Sequence, residues 1–494
     1  MTDNNRAHNL MAQGQLKEAE TLYRQALAAN PNDGDAYWGL GRIAMSVNYY
    51  EAAIEMLKQS VKLLPRSPVP LIHLADAYNL LRNFDDAGKC YQQAAQLAPQ
   101  YPLATYSYGE HLSALGETKK AEQLYRTTLK SDPSFIYAFS SLARIKAFHS
   151  KNDKDIKAME ALLKQPELSK QNQMPLRYAL GKAYYDIADK ELAMKHLIKA
   201  NAIQKQSVTF SVAELKPFFQ SIKDTFNQTM MASSGTIAEG SATPIFIISQ
   251  PRSGSTLLEL MLGAHSSITG AGELPFIGRE VASAINKMTG QHFPQACLAL
   301  SPDQLTELGN IYLKAATANI PDCPYFIDKM PANFQSIGLI KKILPHAKII
   351  NLRRHPMDVG FSIFRNFFNE NEPNFCSLSE IGKYHLLYED LMKHWHQLLP
   401  DTILDVHYEH LVQNPKAVVT EVLKFCDLNW QQSCLEYNKH RGHTQTLSDA
   451  QVTAEIHSQS INSWKTYQNE LEDLQLALGT SIDNYEPFSY NPSL

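Results

Sequence analysis

No run of apolar residues in this chain approaches the ~20 that a membrane-spanning helix needs. The N-terminus, Met1 to His8, lacks the apolar core of a secretory signal. Six cysteines (Cys90, Cys297, Cys323, Cys376, Cys426 and Cys434) are scattered with no Cys-x-x-Cys pair. That spacing signals neither a zinc site nor a disulfide framework. No His, Cys and carboxylate spacing reads as a metal site. Neither charge dominates: 46 Lys and Arg stand against 50 Asp and Glu, a formal net of −4. No basic field therefore points to nucleic acid. The expectation is a reduced, cytoplasmic protein with no transmembrane segment and no metal. At 494 residues it has room for roughly two to four domains.

What is present first is a period. Prolines fall at Pro31, Pro65, Pro99 and Pro133, 34 residues apart. Ala19, Ala53, Ala87 and Ala121 keep the same step, as do Tyr23, Leu57, Tyr91 and Tyr125. A 34-residue period is the tetratricopeptide signature of two antiparallel helices per repeat, with proline closing the second. Ala7, Gly41, Ala75 and Gly109 are the matching small positions of the first helices. Trp38, Ile72 and Tyr106 stand three residues before the last three of these. The pattern thins over 134–177 and returns at Leu180-Gly181, Ala193, Leu197 and Ala200. Residues 1–205 are therefore expected to form an all-α helical solenoid of roughly five to six repeats, irregular near 145–175. Its expected role is to bind a protein partner or a peptide, without chemistry of its own.

Residues 206–243 are small and polar around a helix-like piece, Val212 to Thr229, and read as a linker. From Pro244 to the end at 494, apolar strands alternate with helical stretches. Ile245–Ser249, Lys348–Arg353 and Thr402–His407 are the strands expected. Such alternation argues for a parallel sheet covered by helices.

The first of those strands leads into Gln250-Pro-Arg-Ser-Gly254, and Ser255-Thr256 then opens an amphipathic helix. Strand, Gly-containing turn and helix N-terminus together make an anion site. Arg252 adds a fixed charge, and the hydroxyls of Ser253, Ser255 and Thr256 add donors. The nucleoside-triphosphate version of this unit is G-x-x-x-x-G-K-[ST]. Aligned on Gly254 and Thr256, this chain has Ser249 at the first Gly and Ser255 at the Lys. The missing Lys is the charge that reaches the β- and γ-phosphates. Arg353-Arg354 ends the later strand, where cations favour a second anion over Mg²⁺.

Two motifs now resemble a family. Pro251-Arg-Ser-Gly-Ser-Thr-Leu257 resembles the 5′-phosphosulfate loop of sulfotransferases. Leu352-Arg-Arg-His-Pro-Met-Asp-Val-Gly-Phe-Ser362 resembles their 3′-phosphate motif, in which an Arg (here Arg354) precedes a Ser (here Ser362) by eight residues. The resemblance spans 244–465 and is nearest to tyrosylprotein sulfotransferases and to bacterial sulfotransferases with tetratricopeptide repeats. It implies an α/β, P-loop-like, parallel-sheet sulfotransferase domain over 244–494. It also implies the donor 3′-phosphoadenosine 5′-phosphosulfate (PAPS), the product PAP, and no metal.

Sulfuryl transfer to a hydroxyl needs a base for the acceptor proton and a cation at the leaving oxygen. The resemblance puts the base at Glu273, in Thr269-Gly-Ala-Gly-Glu-Leu-Pro275, and the cation at Lys329, in Phe326-Ile-Asp-Lys-Met-Pro331. Asp328 stands where that family has Asn. Arg252 is expected to hold the sulfonate, with Ser253, Gly254, Ser255 and Thr256 completing the loop. Arg354, Ser362 and Tyr408 are expected at the 3′-phosphate and adenine side, and Ser448 and Lys465 near the same region. Among His265, His355, His407 and His410, His265 is expected to cap or pack the loop helix and His355 to face solvent or phosphate, and neither of these two matches the histidine base of the cytosolic enzymes. The acceptor class stays open among peptide tyrosine, saccharide, lipid and small phenol, and a homodimer is compatible with the reading. Two alternatives stand beside it: a nucleotide kinase or NTPase, and a repeat scaffold whose PAP-binding domain is inactive.

Overall fold

The 34-residue period becomes nine helices among the described residues up to 146. They pair as Asp3–Ala12 with Leu16–Ala29, Gly34–Ser46 with Tyr50–Leu63, Pro68–Leu80 with Phe84–Leu97, and Pro102–Ala114 with Thr118–Ser131; Ile136–Ile145 follows. The in-phase residues make the core. Ala19, Ala53, Ala87 and Ala121 are fully buried, as are Tyr23, Leu57 and Tyr125. The small positions exist to admit them. A methyl group on Gly41 would sit 2.6 Å from Leu57 Cγ, and one on Gly109 would sit 2.7 Å from Tyr125 Cε1. Tyr91 donates from its hydroxyl to Asp76 at 2.5 Å, so its polar end is also satisfied.

The computed structural model describes residues 3–207, 211–232, 242–318, 320, 322–368, 375–437 and 458–485. It divides into two compact units, Met1–Lys146 and Ala147–Leu494. The sequence period draws a boundary at 205, but the contacts draw one at 146. The helices Lys154–Leu163, Lys170–Asp186 and Lys190–Ser207 therefore belong to the second unit. Their repeat chemistry persists: a methyl on Gly181 would lie 2.6 Å from Leu197 Cδ2. Their outer contacts explain the shift. Asn201 Nδ2 donates to the Phe364 carbonyl at 2.8 Å, Tyr185 stacks on Tyr467 at 5.6 Å, and Arg365 lies 4.4 Å above the Tyr185 ring. Within the expected linker, the helix Val212–Thr225 also joins this unit. Glu380 accepts from the Val212 amide at 2.8 Å, and the Phe226 and Trp395 rings lie 5.8 Å apart.

The second unit is built on a five-stranded, wholly parallel sheet of order β2-β3-β1-β4-β5. The strands are β1 Thr243–Ser249, β2 Ile268–Gly270, β3 Tyr325–Asp328, β4 Lys348–Arg353 and β5 Ile403–His407. Ile245 to Ile248 and Ile349 to Ile350 are fully buried, as expected for parallel strands covered on both faces. From β1 the chain leads to one side of the sheet, from β4 to the other. A crevice opens where such connections diverge, at the carboxyl ends of the strands. Among the described residues no helix is long and apolar enough to cross a membrane.

Candidate active site

The loop after β1 carries the first cation. Arg252 has φ +68, a left-handed conformation that a side chain tolerates poorly and that clusters at functional sites. Gly254, at φ +98, caps the helix Ser255–Gly263. A Cβ there would meet Tyr408 Cδ2 at 2.4 Å, so glycine is required by both its backbone and its neighbour. Ser253, Ser255 and Thr256 are buried beneath the loop. At the start of this helix the Leu257 and Leu258 amides donate to the Gly254 carbonyl at 3.0 and 3.4 Å, so the positive end of the helix dipole lies at the loop.

The loop after β4 carries the second cation. Arg354 is 9% exposed. Its Nη1 donates to the Arg252 carbonyl at 3.1 Å, its Nη2 to the Ser460 carbonyl at 2.6 Å, and its Cζ lies 4.6 Å over the Tyr408 ring. Tyr408 thus touches both loops, and its hydroxyl shares a 2.7 Å hydrogen bond with Ser460 Oγ. Arg354 Nε is buried and has no hydrogen-bond partner among the described residues. The structure does not bond Arg354 to Ser362. Ser362 Oγ instead accepts from Arg252 Nε at 3.1 Å. Ser362 lies on the helix Pro356–Phe364, all of whose residues are buried, and the side chain that reaches it comes from the loop after β1.

Glu273 and Lys329 are brought together by strands too short to announce themselves. β2 and β3 pair in parallel through Gly270↔Ile327. The ladder runs on: Ala271 N donates to the Ile327 carbonyl at 3.0 Å, and Lys329 N to the Gly272 carbonyl at 2.9 Å. The next side chains meet, with Lys329 Nζ 2.5 Å from Glu273 Oε1. Lys329 is buried at 1% exposure, whereas the Glu273 side chain is 35% exposed. A buried ammonium thus meets a carboxylate that opens outward. Asp328, beside it, is fully buried and accepts from the Tyr312 hydroxyl at 2.7 Å. Burial pushes its carboxyl up to about 7, against the pull of the Tyr312 hydrogen bond.

Several neighbours of these residues were not singled out by sequence. Glu259, one turn into the loop helix, accepts from Gly272 N at 2.7 Å. Gln250 Oε1 accepts from His385 Nδ1 at 2.5 Å, bracing the start of the loop. Asp358 is 1% exposed and accepts from Asn462 N at 2.7 Å, Ser463 Oγ at 2.9 Å and Trp464 N at 3.1 Å. It holds the segment whose Ser460 contacts Arg354 and Tyr408. Glu409, adjacent to Tyr408, accepts from His355 N at 2.9 Å and from the Tyr485 hydroxyl at 2.6 Å. A buried charge in a loop or first turn was the available signal, but its partners are far away in sequence.

His265 shares a 3.0 Å hydrogen bond with the Asn429 carbonyl. His355 is partly exposed; it stacks on Trp464 at 5.5 Å and accepts from Met357 N at 3.3 Å as the helix cap. Burial lowers His355, and it takes His407 down to about 4. Lys465 Nζ lies 5.9 Å over the Trp464 ring, and Ser448 lies outside the described residues. Among the described residues no three His, Cys, Asp or Glu side chains converge to hold a metal ion.

A parallel sheet with a strand–Gly turn–helix loop after β1 and arginines in the loops after β1 and β4 defines a P-loop-like α/β domain. The family then follows: residues 244–432 match the sulfotransferase family, and residues 4–68 and 82–145 match tetratricopeptide repeats. The chain therefore carries a sulfotransferase-family domain behind tetratricopeptide repeats. It is 30% identical over 371 residues to an uncharacterized protein of Aquifex aeolicus, covering 73% of this chain and 48% of that one. This chain thus spans about half the length of that relative. Protein-tyrosine sulfotransferase 1 of Danio rerio is 23% identical over 269 residues, covering 50% of this chain and 73% of the relative. The sulfotransferase domain from the curacin biosynthetic pathway is a solved structure at 21% identity, covering 50% of this chain and 98% of that one at TM-score 0.33.

Proposed function

We propose that the second unit transfers a sulfuryl group from PAPS to an acceptor hydroxyl. The carrying observation is the Glu273–Lys329 contact at 2.5 Å, a partly exposed carboxylate against a buried ammonium. The residues present fit the donor: two cationic loops, after β1 and β4, suit a molecule with anions at both ends, and Arg354 Nε stands buried without a partner among the described residues. PAPS, when bound, supplies a sulfuryl group already activated by its phosphate leaving group. Arg252 and the loop from Ser253 to Thr256 hold the phosphosulfate end. Arg354 and Tyr408 hold the nucleotide end, and Ser362 serves by orienting Arg252. Glu273 takes the acceptor's proton at a carboxylate oxygen. Lys329 directs its ammonium at the oxygen that becomes the leaving group, where negative charge develops.

The acceptor this reading names is a phenolic hydroxyl, in particular a peptide tyrosine, whose proton has a pKa of about 10 in water. Support comes from the tyrosine sulfotransferase similarity noted above. The repeats of the first unit supply the surface that recruits a peptide, a protein partner or a second copy. All six cysteines are free, which suits a cytoplasmic setting.

The test adds PAP, or ATP with Mg²⁺, to the full chain, follows thermal stability, and then measures sulfate transfer from labelled PAPS to an acceptor panel. PAP is expected to stabilise, and a phenol or tyrosine peptide to be sulfated. Stabilisation by ATP but not PAP would indicate a nucleotide kinase or NTPase. PAP binding without transfer to any acceptor would indicate an inactive binding domain.

A further inference from the structure

The buried ammonium of Lys329 has two carboxylates in reach, and the mechanism above uses only one. Glu273 Oε1 lies at 2.5 Å and Glu259 Oε2 at 3.9 Å. Glu259 is 6% exposed and sits on the helix that begins at the anion loop. Its other oxygen accepts from Gly272 N at 2.7 Å, in the residue before Glu273. Asp328 is the third acid of this neighbourhood: both Glu259 and Lys329 act on it electrostatically.

Consider the charges through one turnover. The acceptor O–H proton passes to Glu273. The acceptor oxygen forms its bond to sulfur, the bridging S–O bond breaks, and its electron pair stays on the phosphate oxygen. Once protonated, Glu273 is neutral and no longer balances Lys329. A buried ammonium without a counter-ion is strongly disfavoured. We infer that Glu259 is a positioning residue: the permanent counter-ion that keeps Lys329 charged and in place when Glu273 is neutralised, and that also sets the Glu273 turn through Gly272. This inference rests on the sulfotransferase reading for its purpose. The coupling among the three side chains is a property of the folded chain alone.

A double-mutant cycle on the full chain tests it without donor or acceptor. Glu273→Gln mimics the protonated base, and Glu259→Gln removes the second charge while keeping an oxygen for Gly272 N–H. Thermal melts near pH 7 compare wild type, each single variant and the pair. The pair is expected to lose roughly 2–4 °C more than the sum of the singles, because Lys329 is then buried with neither carboxylate. In a Lys329→Met background the excess should vanish. Should the pair fail to fold while both singles and the triple variant fold, the inference stands. Additive shifts, or an excess that survives Lys329→Met, overturn it. A second measurement addresses purpose: Glu259→Gln should lower kcat for sulfate transfer at least tenfold with PAP affinity unchanged. Unaltered kcat would reduce Glu259 to a structural role. If wild type transfers no sulfate, the function proposed above fails, while the melts still decide the coupling.

Discussion

Glu273 and Lys329 are 56 residues apart in the chain and 2.5 Å apart in the fold. The contact is made by backbone pairing of β2 with β3, not by side-chain preference, and it puts a candidate base beside a candidate leaving-group cation.

Glu273→Ala should reduce sulfate transfer by at least about a hundredfold, the usual scale of general-base loss. PAP affinity should stay within a few-fold, because no donor-loop residue touches Glu273 among its hydrogen bonds. Titration calorimetry with PAP beside a PAPS turnover assay separates the two. Lost PAP binding would make Glu273 a structural residue.

Gly254→Ala should damage the loop itself. The left-handed φ of +98 costs about 1–3 kcal/mol for a side chain, and the new methyl meets Tyr408 at 2.4 Å. Stabilisation by PAP should disappear from thermal melts while the helical circular dichroism signal is kept. Intact PAP stabilisation would mean that the loop is not the donor site.

Ser362→Ala removes the 3.1 Å acceptor of Arg252 Nε. The loss is about 1 kcal/mol, or roughly a five-fold weakening of PAPS binding. It should appear in the KM for PAPS more than in the Kd for PAP if Arg252 serves the sulfonate end. An equal effect on both would place Arg252 at a phosphate that donor and product share.

Asp328→Asn tests the buried acid, whose carboxyl is raised from 3.8 to about 7 chiefly by burial. Between those values the folded protein holds a proton that the unfolded chain has released. Wild-type stability therefore falls as pH rises through that window. Asparagine keeps an acceptor for Tyr312 and has no charge to bury. The melting temperature of Asp328→Asn relative to wild type should climb from about pH 4 to about pH 7 and then level off. A difference independent of pH would show that Asp328 is ionised throughout.

Leu57→Ala should destabilise the first unit by about 2–5 kcal/mol, because the side chain is fully buried against Gly41. Chemical denaturation of the full chain is expected to show an earlier transition, with PAP stabilisation of the second unit retained. A shift below 0.5 kcal/mol would mean that the repeat core relaxes around the cavity.

Much of this was legible one segment at a time. The 34-residue period specified the helix pairs because each repeat buries its Ala and Tyr or Leu against its own small residues, a local relationship. The anion loop was legible for the same reason: Arg252 to Thr256 are contiguous, and a strand, a turn and a helix start form a single unit. β1, β4 and β5 announced themselves as apolar runs. β2 and β3, three and four residues long, did not, since so short a run carries no period.

Only the tertiary structure decided what those segments do together. The parallel register of β2 on β3 set Glu273 against Lys329 and brought Glu259 to both. The crossing of the loops gave Ser362 to Arg252 and left Arg354 against Tyr408 and Ser460. Contacts such as Asn201 to the Phe364 carbonyl moved the last repeat helices into the second unit. Each joins residues far apart in the chain, where pairing depends on sheet order and packing rather than on neighbouring side chains. Sequence by itself thus determined the repeats, the loop and the types of residue available for chemistry, because these are local. The partner of each charge was left to the fold.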